Sequence, residues 1–204
     1  MKILHIDAGI TGPASVSRQL SQAIVDTLVR DNPGLEVVRR DLDTDPAPHL
    51  DSRNISTLGP SPADAEATLS GDILREFQEA DVLVLGAPMY NFGIPSQLKA
   101  WFDRILVAGQ TFRYTAEGPV GLAGGKTVII ASARGGLYAP GTPQAQSDFH
   151  EPYLRTLFRF IGIDEVTIVR AEGTAISAEL RETALAAAFA ETARLSAQAG
   201  ALAA

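Results

Sequence analysis

Strand-like and helix-like segments alternate along this chain, and that alternation leaves few folds open. Lys2–Asp7 reads as a short buried strand. Ser15–Asp31 follows as a helix, with Val16, Leu20, Ala23, Ile24 and Leu28 spaced to share one buried face. Pro33-Gly34 ends it, and Leu35–Arg40, which carries Glu36, Arg39 and Arg40, reads as an edge strand. Asp41–Pro62 is rich in Asp, Pro and Ser and predicts a long connection, of a length that tends to be functional or packed on a partner. A helix is expected over Ala63–Ala80, with Leu69, Ile73, Leu74 and Phe77 on one side and Ser70-Gly71 as the place where it would divide. Asp81–Leu85, apolar at consecutive positions, has the character of a central parallel strand. Ser96–Val107 predicts a helix, Thr127–Ser132 a fourth strand, Ser147–Phe160 a helix, Glu165–Val169 a fifth strand and Ala178–Ala199 an Ala-rich terminal helix.

Five strands with helices between them imply parallel β/α/β crossovers and helices on both faces of one sheet. The expected fold class is therefore α/β, a doubly wound five-stranded parallel sheet of order 2-1-3-4-5, in one domain over 1–204. A dinucleotide-binding domain would usually want six strands. In either arrangement a ligand sits beyond the carboxyl ends of the strands, near the point where the strand order reverses. That directs attention to the loops after strands one, three and four.

Composition narrows the chemistry. The 204 residues contain no cysteine, which excludes disulfides, thiolate nucleophiles, iron–sulfur clusters and Cys-ligated zinc. Three scattered histidines, His5, His49 and His150, give no zinc-enzyme spacing, so no metal site is expected. A net charge of −7 argues against a nucleic-acid partner, because that binding is dominated by phosphate neutralisation. No apolar run approaches the ~20 residues needed to cross a bilayer. Together with a first segment unlike a signal peptide, this predicts a cytoplasmic protein with no membrane partner.

After strand one, Ala8-Gly9-Ile10-Thr11-Gly12-Pro13-Ala14-Ser15-Val16-Ser17 opens directly into a helix. Its N–H groups, the positive end of the helix and the hydroxyls of Ser15 and Ser17 favour a phosphate. An equal claim on Ser15 is that it is only the helix N-cap. After strand three, Pro88-Met89-Tyr90-Asn91-Phe92-Gly93-Ile94-Pro95 bunches aromatic and amide side chains suited to a planar heterocycle. Singly these would read as core residues; together at a strand's carboxyl end they make a ligand platform. After strand four, Ala133-Arg134-Gly135-Gly136-Leu137-Tyr138 lets the backbone approach a flat ligand and offer N–H groups to a ring carbonyl. Gly121–Thr127 imitates a phosphate-binding loop, but Val120 stands where GxxxxGK[ST] needs glycine, and Lys126-Thr127 leads into a strand.

The run APMYNFGIPSQLKAWFDRI, followed by GQTFRYTAEGPVGLAGGK and ARGGLY, then FIGI (160–163) and AEG (171–173), resembles the FMN-dependent NADH-azoreductases, also described as FMN-dependent NADH:quinone oxidoreductases. The likeness spans nearly the whole chain. It implies a flavodoxin-like homodimer with one FMN per subunit near the dimer interface. It further implies ping-pong transfer of a hydride from NADH or NADPH to quinones or azo compounds, with no catalytic side chain, because the cofactor carries the chemistry. Carried over by position, Ser15, Val16 and Ser17, with Gly9 nearby, would hold the FMN phosphate. Met89, Tyr90, Asn91 and Phe92 would flank the isoalloxazine, and Ala133, Arg134, Gly135 and Gly136 would cover its pyrimidine edge. Tyr114, with Phe158 or Phe160, matches aromatic regions expected beside the substrate. Family members often have serine where Gly9 stands and before the RGG where Ala133 stands, so contacts there fall to the backbone. Two rival readings share the strand order. An electron-carrier flavodoxin would have no substrate of its own. A phospho-receiver domain would need clustered acids after strand one, where Asp7 stands alone, and an Asp ending strand three, which ends in Gly86-Ala87-Pro88.

Overall fold

The run Ile3-Leu4-His5-Ile6 forms the middle of β1 (Lys2–Asp7), a strand inside the sheet with both faces covered. The computed structural model that shows this describes residues 1–51 and 65–199. After β1 come α1 (Val16–Asp31), β2 (Glu36–Asp41), α2 (Ala65–Glu79), β3 (Val82–Pro88) and α3 (Ser96–Ile105). A hairpin of β4 (Phe112–Thr115) and β5 (Gly118–Gly121) precedes β6 (Thr127–Ala133), α4 (Glu151–Phe160), β7 (Val166–Ala171) and α5 (Ala178–Ala199).

The main sheet runs β2-β1-β3-β6-β7, every pair parallel, which is the expected order 2-1-3-4-5 with β2 at an edge. Its register sets Ile3 against Val82, Val84 against Ile129 and Ile130 against Ile168. Alternate side chains pass to opposite faces of a strand, and the two cores follow from that. Leu4, Ile6, Leu83, Leu85, Val128 and Ile130 meet Phe77, Trp101, Phe102 and Phe158 from α2, α3 and α4. On the other face Ile3, Val82, Val84 and Ile129 meet Leu20, Ile24 and Leu28 of α1 and Leu195 of α5. Each such fully buried side chain contributes roughly 1.5–3 kcal/mol.

Several expectations change. The β4–β5 hairpin, antiparallel and outside the main sheet, was not foreseen in the TFRYT segment. It packs so closely on the end of α4 that a Cβ on Gly121 would overlap the backbone of Ile161-Gly162. Helix α2 runs unbroken through Gly71, because Ile73 and Phe77 are wholly buried and outweigh a propensity cost of about 1 kcal/mol. Helix α4 starts at Glu151 rather than Ser147. The Asp148 carboxylate accepts the N–H groups of His150 and Glu151 there, and Pro152 suits the first turn. Helix α3 ends at Ile105, short of Val107, where the Leu106 N–H closes the last turn on Phe102. Of the long 41–62 connection, Asp41 belongs to β2, and residues 52–62 lie outside the described residues, as do 63 and 64 of the expected second helix. Among the described residues no helix is long and apolar enough to cross a membrane. Lys126, in the imitation phosphate loop, donates instead to the carbonyls of Gln78 and Ala80 at the end of α2.

Candidate functional site

Strands β1 and β3 are neighbours, yet the chain leaves β1 towards β2 and arrives at β3 from the far side, which opens a crevice at their carboxyl ends. The loop after β1 starts with Ala8 N–H donating to the Gly86 carbonyl at 3.0 Å and passes through a short 3-10 turn, Gly12–Ala14. Ser15 then caps α1, although its Oγ reaches the Arg18 N–H only at 3.5 Å. The stronger contact of Ser15 is with Ser17, Oγ to Oγ at 3.1 Å, and both side chains are buried. Ser15 is thus both cap and half of a hydroxyl pair at the positive end of a 16-residue helix. The Val16 side chain joins the core, which leaves only its backbone to serve a ligand here. Gly9 lies beneath the two hydroxyls, where a Cβ would overlap Ser15 Oγ.

Arg18, which the sequence reading passed over, braces this loop. Its Nε donates to the Gly9 carbonyl at 2.7 Å and its Nη1 to Asp41 at 2.7 Å, with Asp7 3.7 Å away. A basic residue in the first turn opposes the helix dipole, and that anomaly was the available signal. Burial pushes Asp7 up, but hydrogen bonds from His5, Ser21 and Arg39 outweigh it and leave its carboxyl below the usual range.

Met89 to Gly93 forms the second wall. Tyr90 and Gly93 exchange N–H···O bonds of 3.0 and 3.1 Å around Asn91 (φ 48°) and Phe92 (φ 71°). Positive φ at both central residues is the geometry of a type I′ turn, and a Phe there costs roughly 1–2 kcal/mol. The strain is held from three sides. Ile10 N–H donates to Tyr90 Oη at 3.1 Å, Met89 N–H to the Ala133 carbonyl at 2.8 Å, and Phe149 N–H to the Phe92 carbonyl at 3.1 Å.

The third wall follows β6. The carbonyls of Arg134, Gly135 and Gly136 accept the N–H groups of Thr174, Ala175 and Gly173 at 3.1, 3.1 and 2.9 Å. In a trans peptide the C=O and the following N–H point opposite ways. The N–H groups of Gly135, Gly136 and Leu137 are therefore turned away from that strip, and none has a partner among the described residues. Gly135 and Gly136 line a cleft of about 250 Å³ with Met89, Asn91, Phe92 and Tyr138. Phe92 and Tyr138 meet edge-to-face across it at 6.2 Å. Asn91 also borders a cavity of about 730 Å³, walled by Tyr90, Ile94, Lys99, Phe149 and Tyr153. Tyr153 and Phe149 were not foreseen; residues far along the chain carried no signal of this proximity.

Not every expected residue faces the cleft. The Arg134 side chain is wholly buried beneath it, paired with Glu172 at 3.0 Å, Asp148 at 3.0 Å and Glu151. Ala133 offers its carbonyl to Met89 and packs its methyl in the core. Phe158 is a core residue, edge-to-face with Phe102 at 5.3 Å. Phe160 packs on Phe112 at 4.6 Å, and Tyr114, 73% exposed on the hairpin, meets Phe112 at 5.5 Å. Beneath the cleft, burial and next the Arg134 charge push His150 down to about 4, so its ring is neutral near pH 7. The Glu151 and Asp148 charges and the Ala87 backbone pull the other way without outweighing this. Glu151, also buried, is kept below the usual range chiefly by hydrogen bonding from Arg170.

A family model described as flavodoxin-like fold matches residues 1–195. An FMN-dependent NADH:quinone oxidoreductase from Xanthomonas oryzae pv. oryzae is 56% identical over 190 residues, covering 93% of this chain and 94% of the relative. The chain belongs to this flavodoxin-like family of FMN-dependent NADH:quinone oxidoreductases. Another member, from Methylorubrum extorquens, is 52% identical over 202 residues, 97% of this chain and all of the relative. Among solved structures, an FMN-dependent NADH-azoreductase from Bacillus anthracis in complex with FMN is similar at a TM-score of 0.86 and 28% identity, covering 97% of this chain and 98% of that one. A second Bacillus anthracis azoreductase matches at a TM-score of 0.87 and 30% identity, covering 96% and 98%.

Proposed function

We propose that this protein is an FMN-dependent oxidoreductase that takes electrons from NADH or NADPH and reduces quinones and azo compounds. The observation that carries the reading is the pair of N–H groups at Gly135 and Gly136, without a partner among the described residues, in a narrow cleft that these glycines line with Met89, Asn91 and Phe92. The residues fit the cofactor at both ends. A flat ring lying between the Asn91-Phe92 turn and the two glycines would meet donors along one edge. Its phosphate would meet the Ser15–Ser17 hydroxyls and the Val16 and Ser17 N–H groups at the positive end of α1.

The chemistry that FMN supplies when bound is two-electron transfer, from nicotinamide and then to acceptor. The chain's own part is to bind and orient. The strained Tyr90–Gly93 turn presents Asn91, with its amide donor and acceptor, to both the cleft and the larger cavity. The neutral, buried His150 adds no charge beneath the ring. The cavity of about 730 Å³ is large enough for a substrate beside the cofactor, which favours an enzyme over an electron carrier. Phe149, 65% exposed at that cavity, and Tyr114 on the hairpin are aromatic surfaces that a second copy of the chain would cover in a homodimer. A cytoplasmic location goes with a nicotinamide donor.

The test is spectral. Purified protein reconstituted with FMN should retain flavin absorption through gel filtration, lose it on anaerobic NADH addition and regain it on adding a quinone. Protein that retains no FMN refutes the reading.

A further inference from the structure

The turn Arg134–Tyr138 is held from behind by one strip, Ala171–Ala175, which leaves β7. Arg134 N–H donates to the Ala171 carbonyl at 2.9 Å, and Thr174 Oγ1 donates to the Arg134 carbonyl at 3.0 Å, beside the three backbone bonds that fix the turn's carbonyls. The charged tie is Glu172. Its Oε1 accepts from Arg134 Nη1 at 3.0 Å and from the Tyr138 N–H at 2.9 Å, so one oxygen joins both ends of the turn.

That tie does what the backbone bonds do not. The Gly135-Gly136 pair has the widest conformational freedom in the turn, and no backbone carbonyl among the described residues accepts the Tyr138 N–H. The placement of Tyr138, whose ring meets Phe92 at 6.2 Å, depends on Glu172. Arg134 keeps Asp148 and Glu151 as partners if Glu172 is lost, so the charge beneath the turn stays compensated.

We propose that Glu172 is a positioning residue for the bound cofactor: by tying the Arg134 guanidinium and the Tyr138 N–H to a single oxygen, it closes the turn at both ends and holds the Gly135 and Gly136 donors, whose direction the backbone bonds set, at a fixed distance from the cleft. The proposal rests on the reading that FMN occupies that cleft. Donors held there stabilise ring atoms that gain negative charge on electron uptake, so Glu172 tunes the reduction potential as well as affinity without touching the ring.

The experiment titrates FMN into wild type, Glu172→Gln and Glu172→Ala by quenching of flavin fluorescence, and measures the two-electron potential of each loaded protein. Glu172→Gln keeps an oxygen in place and should bind within about threefold of wild type. Glu172→Ala should bind about tenfold more weakly, with a potential about 30 mV more negative, the equivalent of a tenfold loss of preference for the reduced form. If Glu172→Ala does not fold, Glu172→Asn, too short to reach both donors, is read the same way. Wild-type affinity and potential in the folded variant overturn the proposal, as does weaker affinity at unchanged potential, which would mark general loosening. Glu172→Gln as impaired as Glu172→Ala overturns the two-ended tie in favour of charge at Arg134 alone. Failure of wild type to bind FMN overturns the cofactor reading, and this inference with it.

Discussion

His150→Leu should remove about 2 kcal/mol of the stability that this fold loses between pH 7.5 and pH 5. The histidine is wholly buried at the start of α4, and burial followed by the Arg134 charge brings its pKa from 6.5 to about 4. Between those two values the unfolded chain takes up a proton that the folded chain refuses. Stability is therefore full above pH 6.5 and falls as pH drops, at up to 1.36 kcal/mol per pH unit, until about pH 4. From pH 7.5 to pH 5 the loss through this one group is about 2 kcal/mol. The neighbouring Glu151 is also held below its ordinary value of 4.5, so its contribution is kept across this window and lost only at lower pH. Leucine is of similar size and carries no polar side-chain atoms, so at pH 7.5 the variant should be within about 1 kcal/mol of wild type or more stable. The assay is urea unfolding followed by circular dichroism at the two pH values for both proteins, with FMN absent from all samples. Wild type should lose about 2 kcal/mol more than the variant on acidification. Parallel losses would refute the argument, because the burial of a neutral imidazole would then have no energetic consequence.

Other outcomes follow from the same geometry. Ser17→Ala removes one of two buried hydroxyls at the head of α1 and should weaken FMN retention by about tenfold, read by equilibrium dialysis, at a stability cost of about 1 kcal/mol. Asn91→Ala should leave the protein folded, with about 1 kcal/mol of added strain at φ 48°, and lower the rate of quinone reduction in steady-state assays. Phe158→Ala should cost about 3–5 kcal/mol in denaturant unfolding, as a core truncation does. Tyr114→Ala, at an exposed site, should change stability by less than about 0.5 kcal/mol while raising KM for the acceptor.

The parallel sheet was legible because β3 and β6 are apolar at consecutive positions and the helices between them keep one apolar face. The hairpin was not. Gly118-Pro119-Val120-Gly121 has almost no strand propensity, and what holds it is its antiparallel partner and the close approach of Gly121 to Ile161-Gly162. The three loops meet at one edge of the sheet because the strand order, which was legible, sends them there. Individual side chains were harder. Arg134 beside two glycines reads as a ligand contact, but its partners Asp148, Glu151 and Glu172 are remote in sequence, and only the fold turns the guanidinium under the sheet. Phe158 and Phe160 looked interchangeable at the helix end, yet Phe158 stands four residues after Leu154 and shares its buried face. Left-handed backbone at Phe92 carries no signal in a phenylalanine, which normally avoids it.

A crystal structure of the protein grown with FMN bears most directly on the claim that the loops after β1, β3 and β6 meet on one cofactor. The ring should lie between the Asn91-Phe92 turn and the Gly135-Gly136 peptides, with its phosphate on the Ser15 and Ser17 hydroxyls. FMN bound away from those loops, or a ring edge with no contact to the Gly135, Gly136 and Leu137 N–H groups, would contradict it.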